Sequence, residues 1–319
     1  MSGWSVSEPG LYDGIPDDVY HAGANTPAPS VSQSQLKLLV PPSTPAHFKW
    51  RRENPEGPKR VFDIGRAAHT LALGVGEPME ACDPADLSVD GKMTTKAAKE
   101  WAADCRARGV VPLTPRDHAM VLGMAEALVE NARVAEVLTM PMNRPEVSAY
   151  AIHPDHGFWI RGRFDLLGGR PWDYKTTASA EPTSAFARSA WRYGYHIQDR
   201  VYRLLHEWSV GEDPGRLVFL AQEKEPPYLV STTSVDDGME AAARIQVEEA
   251  FTLYAACLAA DHWPGYPEEV VPLAAPFWAL RQLGVDPSGA EVTPELRGVA
   301  SVLDAETEAA FDDYLEGLT

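Results

Sequence analysis

Cysteine is scarce in this 319-residue chain. Cys82, Cys105 and Cys257 are odd in number and far apart, which leaves no disulfide framework and no C-x-x-C metal site. No apolar run approaches the length of a membrane span, and the opening MSGWSVSEPG has neither a basic region nor an apolar signal core. A soluble, unsecreted, cytoplasmic protein with no membrane partner is expected. A G-x-x-x-x-G-K-[ST] loop is missing, so ATP-driven translocation is not expected, and without a G-x-S-x-G elbow the main case for a serine hydrolase falls away. Internal repeats and low-complexity tracts are absent too. Basic residues are outnumbered, with 28 Lys and Arg against 46 Asp and Glu and a formal charge of −18. That balance argues against broad coating of nucleic acid, although it allows a local basic channel.

What is present is enough chain to bury a sizeable core, as one large domain or one domain with an appendage. Acids concentrate in the last third, at Asp236-Asp237, Glu248-Glu249, Glu268-Glu269 and over 304–316. Basic residues gather at HFKWRR (47–52), at Lys59-Arg60, and at Arg161 and Arg163. The pattern reads as a confined electropositive groove on an acidic body, or, for the first two clusters, as scattered solvated charge. Residues 1–30, rich in Pro, Gly and Ser, predict an extended arm. Helices are expected over 32–39, 62–73, 96–108, 115–138, 194–208 and 239–259, with a polar loop or flap over 75–95 and an apolar strand over 216–221. His153 and His156 flank Pro154-Asp155 in a stretch better explained as a hairpin turn than as a zinc site.

The most informative stretch is FWIRGRFDLLGGRPWDYKTT, residues 158–177. Phe158, Ile160, Phe164 and Leu166 alternate with Trp159, Arg161, Arg163 and Asp165, which predicts a half-buried strand with a polar face. A second strand over 171–177 sets Asp173, Lys175 and Thr177 on one face. A two-residue Gly168-Gly169 turn sends Asp165 and Asp173 to opposite faces, whereas a three-residue turn through Arg170 pairs them and brings Lys175 alongside. The odd turn is expected, with Pro171 opening the strand where its missing N–H is best tolerated. Two carboxylates suit a hard cation, Mg²⁺ or Mn²⁺, and an ammonium beside them suits orientation of water or stabilisation of charge on phosphorus. An ordinary surface salt-bridge cluster is the alternative. The same D-x-K spacing recurs at Asp90-Gly91-Lys92, but in a polar loop with no preceding apolar strand.

The order FDIGRAAHTLAL, RPEVSAY, RGRFDLL, WDYKTTASA, YGYHIQDRVY, FLAQEKEPPY resembles the nuclease domain of RecE-type exonucleases, also called exonuclease VIII, of the PD-(D/E)xK superfamily. The likeness extends to GLYDGIPDDVYHAG and SVSQSQLKLLVPPSTPAHF and to WPGY at 263–266, so it covers roughly residues 10–270. It implies an α/β nuclease core, a central mixed β-sheet flanked by helices, occupying residues 1–275 with the N-terminal arm. Residues 276–319, with AETEAAFDDYLEGL, form an acidic helical tail outside it. By the resemblance Asp165, Asp173, Lys175, Gln198 and Tyr202 are catalytic. His69 joins Asp165 and Asp173 at the metal, although a lone histidine on an Ala-rich helix is otherwise a packed core residue. Tyr195 shares a helix face with Gln198 and Tyr202 by spacing, and is a supporting residue or simply a packed one. Glu146 is a supporting or second-metal ligand, or a surface glutamate at a strand start. Arg161 and Arg163 are expected to contact DNA. The implied activity is Mg²⁺- or Mn²⁺-dependent hydrolysis of linear duplex DNA, 5′ to 3′, by a homo-oligomer that works with a recombinase or single-strand annealing partner. The count of three cysteines argues against the four-cysteine iron–sulfur cluster of some relatives. An endonuclease without preference for ends stays open, as does a non-catalytic module that binds nucleic acid or a partner. Carboxylates that repel when metal is absent speak against the latter.

Overall fold

The two strands that carry the Asp, Asp, Lys set lie in the middle of a seven-stranded sheet in the computed structural model, which describes residues 4–55, 57–276, 279 and 280. In spatial order the strands are β1 (Gly10–Tyr12), β5 (Arg144–Ile152), β6 (Trp159–Leu167), β7 (Pro171–Thr177), β8 (Val218–Glu223) and β9 (Val230–Thr233), and β2 (Val31–Ser32) adds to β6. The sheet is mixed. β1, β5, β6 and β7 pair antiparallel in succession, β2 joins β6 in parallel, β7 and β8 run parallel, and β9 returns antiparallel. The parallel pair needs a long crossover, which helices α8 (Ala185–Arg192) and α9 (Tyr195–Val210) supply.

Helices cover both faces. Ile160, Phe164 and Val147 of the sheet pack against Val201 and Leu205 of α9 and Phe251 of α10 (Asp237–Ala260). On the opposite side Tyr174 and Leu220 meet Ala67 and Ala68 of α4 (Arg60–Leu73) and Val121 and Met124 of α6 (Pro115–Glu130). Alanines on α4 let it lie close to β7, and Gly74 at φ 72° ends it in the left-handed region that glycine takes without strain. The remaining helices are α1 (Asp17–Ala22), α2 (Gln33–Leu36), α3 (Pro45–Glu53), α5 (Lys96–Ala107) and α7 (Ala132–Thr139). Ser32 starts α2 with a reciprocal capping box to Gln35.

Several elements depart from the sequence reading. The arm over residues 1–30 is not simply extended: β1 extends the sheet at β5, and α1 with Val6, Ile15 and Tyr20 covers Tyr150 and Trp159. For that reason the polar face of β6 is not solvated, and Arg161 is only 3 % exposed. Within the 75–95 loop, β3 (Met79–Ala81) pairs in parallel with β4 (Val111–Leu113). The helix expected over 115–138 breaks at Asn131, whose side chain accepts from Val134 N and caps α7. The 153–158 segment is the expected turn, closed by His153 N–H to the Phe158 carbonyl and Gly157 N–H to the His153 carbonyl. The chain divides into two units, residues 1–265 and 266–319. Within the second unit, Leu280 N–H donates to the Pro276 carbonyl, and the expected acidic tail otherwise lies outside the described residues.

Candidate active site

The site forms where β6 and β7 part. Their pairing is confined to Leu166–Trp172 and Leu167–Pro171, across the three-residue turn 168–170 that the sequence predicts. This register aligns Asp165 with Asp173. At that level the ladder opens, and Tyr174 N–H donates 2.7 Å to Asp165 Oδ2 instead of to a strand carbonyl. The far end of the same β6 edge is taken by β2 at Ile160 and Arg161. Between them the Arg163 carbonyl accepts from the Tyr202 hydroxyl at 2.9 Å, so α9 satisfies a backbone group the missing strand would have paired. The notch opens into a cavity of about 1050 Å³ whose walls include His69, Glu146, Asp165, Asp173, Lys175 and Gln198.

One half of the site is a carboxylate, imidazole, carboxylate chain. His69 Nε2 lies 3.1 Å from Asp165 Oδ1, and its Nδ1 lies 3.2 Å from Glu146 Oε1. Burial disfavours the imidazolium, but the two carboxylates outweigh it and raise His69 to about 9. Asp165 is likewise opposed by burial, and held below the usual carboxylate range by the His69 charge. Glu146 is pushed up to about 7, by burial first and then by Asp165, with His69 opposing. Its backbone sits at φ 55°, a conformation that a glutamate rarely adopts. At the head of β5 Glu146 lines the wall of the cavity.

The other half centres on Asp173, which is 2 % exposed. Gln198 Nε2 donates 2.5 Å to Oδ1, and Lys175 Nζ lies 2.6 Å from Oδ2. Burial raises Asp173 to about 6 despite Lys175, and Lys175 is held above the ordinary lysine range because Asp173 and Asp165 outweigh its own burial. Lys175 Nζ also sits 5.1 Å over the Tyr195 ring, which is stacked on Phe219 at 5.2 Å. Tyr195 is thus a platform for the lysine. The sequence reading missed Lys37, which lines the same cavity and donates 2.9 Å to the Tyr193 carbonyl. Burial and then the Lys175 charge lower it to about 8.

The two arginines line the cavity and are also engaged by the arm. Arg161 donates to the Ser30 hydroxyl at 3.0 Å and the His21 carbonyl at 3.3 Å, and Arg163 to the Ser148 hydroxyl at 2.9 Å and the Ile15 carbonyl at 2.6 Å. Arg163 also pairs with Asp17 and lies 3.5 Å from Glu146. Both guanidiniums dock the arm on β6, which the alternation along the strand could not reveal.

The donor set suits a hard divalent ion: Glu146 and Asp165 bracket the His69 imidazole, and Asp173, on the same cavity wall, has its Oδ2 buried and making no aligned hydrogen bond. Among the described residues these donors are paired with cations, and no three converge on one point.

A family model described as "PDDEXK-like domain of unknown function (DUF3799)" matches residues 32–273. The chain belongs to this family. The match spans His69, Glu146, Asp165, Asp173, Lys175, Gln198 and Tyr202. Among solved structures, a protein of Eubacterium rectale described as "Putative exonuclease" aligns at a TM-score of 0.52 and 13% identity, over 78% of this chain and 87% of that one. At that identity the likeness is one of fold. A phage related exonuclease of Haemophilus somnus (16% identity, 61% of this chain, 95% of that chain) and an alkaline exonuclease of Laribacter hongkongensis (15%, 64%, 96%) align at TM-scores of 0.27 and 0.23, below the level at which a shared fold follows. No curated protein matches the chain at significant similarity. The PDDEXK-like assignment and the mixed, helix-flanked sheet agree with the expected fold class.

Proposed function

We propose that this chain is a metal-dependent deoxyribonuclease that hydrolyses linear duplex DNA from its ends, 5′ to 3′, in phage-type recombination. The observation that carries the nuclease reading is the pairing of Asp165 with Asp173 beside Lys175 at an opening in the sheet, inside one large cavity. A divalent ion, Mg²⁺ or Mn²⁺, would be held by Asp165 and Asp173 with His69 and Glu146 alongside, and when bound it supplies neutralisation of a phosphoryl oxygen and acidification of water. The protein's own groups do the positioning. Lys175 stays protonated through neutral pH, so it orients water and holds charge near the phosphorus rather than taking a proton. Gln198 fixes the Asp173 carboxylate, and Tyr202 fixes the edge of β6 that carries Asp165. Tyr195 limits where the Lys175 ammonium can go. End dependence, polarity, a homo-oligomer and a recombinase or annealing partner rest on the resemblance to RecE-type exonucleases.

The test is digestion of a 5′-labelled linear duplex beside a closed circle, with Mg²⁺, with Mn²⁺ and with EDTA, by wild type and Asp173→Ala. Metal-dependent loss of the linear substrate alone, absent in the variant, is the expected result. Nicking of the circle would establish an endonuclease instead, and no cleavage under any condition would leave a binding module.

A further inference from the structure

A second cavity, of about 740 Å³, lies between the 84–94 segment, the face of α5, and the N-terminal ends of α4 and α6. Five cationic side chains line it, Arg60, Lys92, Lys99, Arg106 and Arg116, against two acids, Asp63 and Asp90. On a chain of formal charge −18 this is a local reversal of sign. Arg60 pairs with Asp117, Nε to Oδ2 at 2.8 Å, and Lys92 pairs with Asp90 at 2.7 Å. Arg106 shares Asp63 with Arg66, at 2.7 and 2.8 Å, so one carboxylate serves two guanidiniums there. The Arg106 Nε–H is buried without an acceptor. Lys99 and Arg116 make no side-chain hydrogen bond or ion pair among the described residues. The cavity therefore holds surplus positive charge together with an unsatisfied buried donor, which is the chemistry of an anion site.

Its position connects it to the catalytic cavity. Arg66 lines that cavity while Asp63 and Arg106 line this one, so a single ion-paired cluster separates the two. Helix α4 carries Asp63 at one and His69 at the other, about 9 Å apart along its axis at the rise of an α-helix. Among the described residues no aromatic side chain lines the second cavity, which leaves the base of a free nucleotide nothing there to stack on. Its cations instead reach the surface: the Arg60 and Lys92 side chains are 61% and 69% exposed. Both features favour a backbone over a mononucleotide.

We propose that this cavity is a second phosphate-binding site, which holds the sugar-phosphate backbone of the nucleic-acid substrate away from the scissile bond, with Lys99 and Arg116 making the phosphate contacts. The proposal rests on the nuclease reading for the identity of the polyanion. It is tested by binding, so that its fate is separate from that of cleavage.

The experiment measures fluorescence anisotropy of a labelled duplex against the full-length Asp173→Ala protein over a salt series. The same background carries Lys99→Ala with Arg116→Ala, or a comparator of equal charge, Lys96→Ala with Arg244→Ala. All four side chains are on exposed residues, so folding is not at stake. The slope of log affinity against log salt should become shallower by about 2 in the cavity pair, close to one per lost phosphate contact, and by less than about half of that in the comparator. Equal slopes in the two pairs, or a parent protein that does not bind duplex, would overturn the proposal. Retained duplex binding with loss of dAMP binding, followed by NMR, would also overturn it and give the site to a small phosphoester. Cleavage by wild type is scored separately, so a protein that shows the slope change yet never cleaves sinks the nuclease reading alone.

Discussion

Lys175 is half-buried against two carboxylates, and its charge is decided by which effect is larger. Burial favours the neutral amine, but Asp173 at 2.6 Å and Asp165 outweigh it and hold the proton on. A lysine kept charged cannot act as a base, so its removal should cost electrostatic stabilisation of the reaction. Lys175→Ala is expected to lower the single-turnover rate on an end-labelled duplex by about 10²-fold or more, with duplex affinity by anisotropy nearly unchanged. The fold should survive, because Asp173 already binds a proton more readily than an ordinary carboxylate and can neutralise itself when its partner is lost. A near-normal rate would remove Lys175 from the mechanism. Asp165, Asp173 and Lys175 were legible from period-two alternation and one turn length. His69, Gln198 and Tyr202 were placed by resemblance, because nothing in local spacing joins residue 69 to residue 165. Lys37 left no signal, since its partner carbonyl is 156 residues away. Glu146 was ambiguous because its left-handed backbone belongs to the fold and not to the residue type.

At the scale of elements, the site depends on how closely α9 lies over β6. Gly162 sets that distance: a Cβ built there would stand 2.7 Å from Leu205 Cδ2 and 3.0 Å from Tyr202 Cε1. The same helix delivers Gln198 to Asp173 and the Tyr202 hydroxyl to the Arg163 carbonyl. Gly162→Val should therefore push α9 outward, cost about 1–3 kcal/mol in chemical denaturation, and lower activity even at temperatures where the protein stays folded. Unchanged stability and activity would mean that the helix moves freely without harm to the site. Long helices with apolar stripes, α4, α9 and α10, were readable, as were both strands of the hairpin. Short pieces were not. β1, β2 and β9 have three, two and four residues, too few for a period to show, and they become strands only because distant segments offer edges. The polar face of β6 misled for the same reason: the arm that covers it comes from the other end of the sequence and bonds to its arginines.

The molecule as a whole is acidic, yet the carboxylate cluster of the site is internally neutralised. Asp165 is matched by His69, Asp173 by Lys175, and Glu146 by His69 and Arg163. A divalent ion must therefore compete with pairs already formed, rather than fill a bare set of repelling charges. Competition of this kind predicts modest affinity and a stability that depends on metal concentration. An ion that binds only the folded state stabilises it by about 2.7 kcal/mol at a hundredfold excess over its dissociation constant. For a unit of this size that corresponds to a rise of roughly 5–10 °C in thermal midpoint. Wild type should show the rise with Mn²⁺ or Mg²⁺ and lose it on adding EDTA. Asp165→Asn with Asp173→Asn should be insensitive to both, because the amides cannot replace the paired charges as ligands. Sodium chloride at matched ionic strength separates this from general screening of the −18 charge, which would act on wild type and variant alike. A metal response that survives in the double variant would place the ion elsewhere on the molecule and leave the notch between β6 and β7 without its proposed metal.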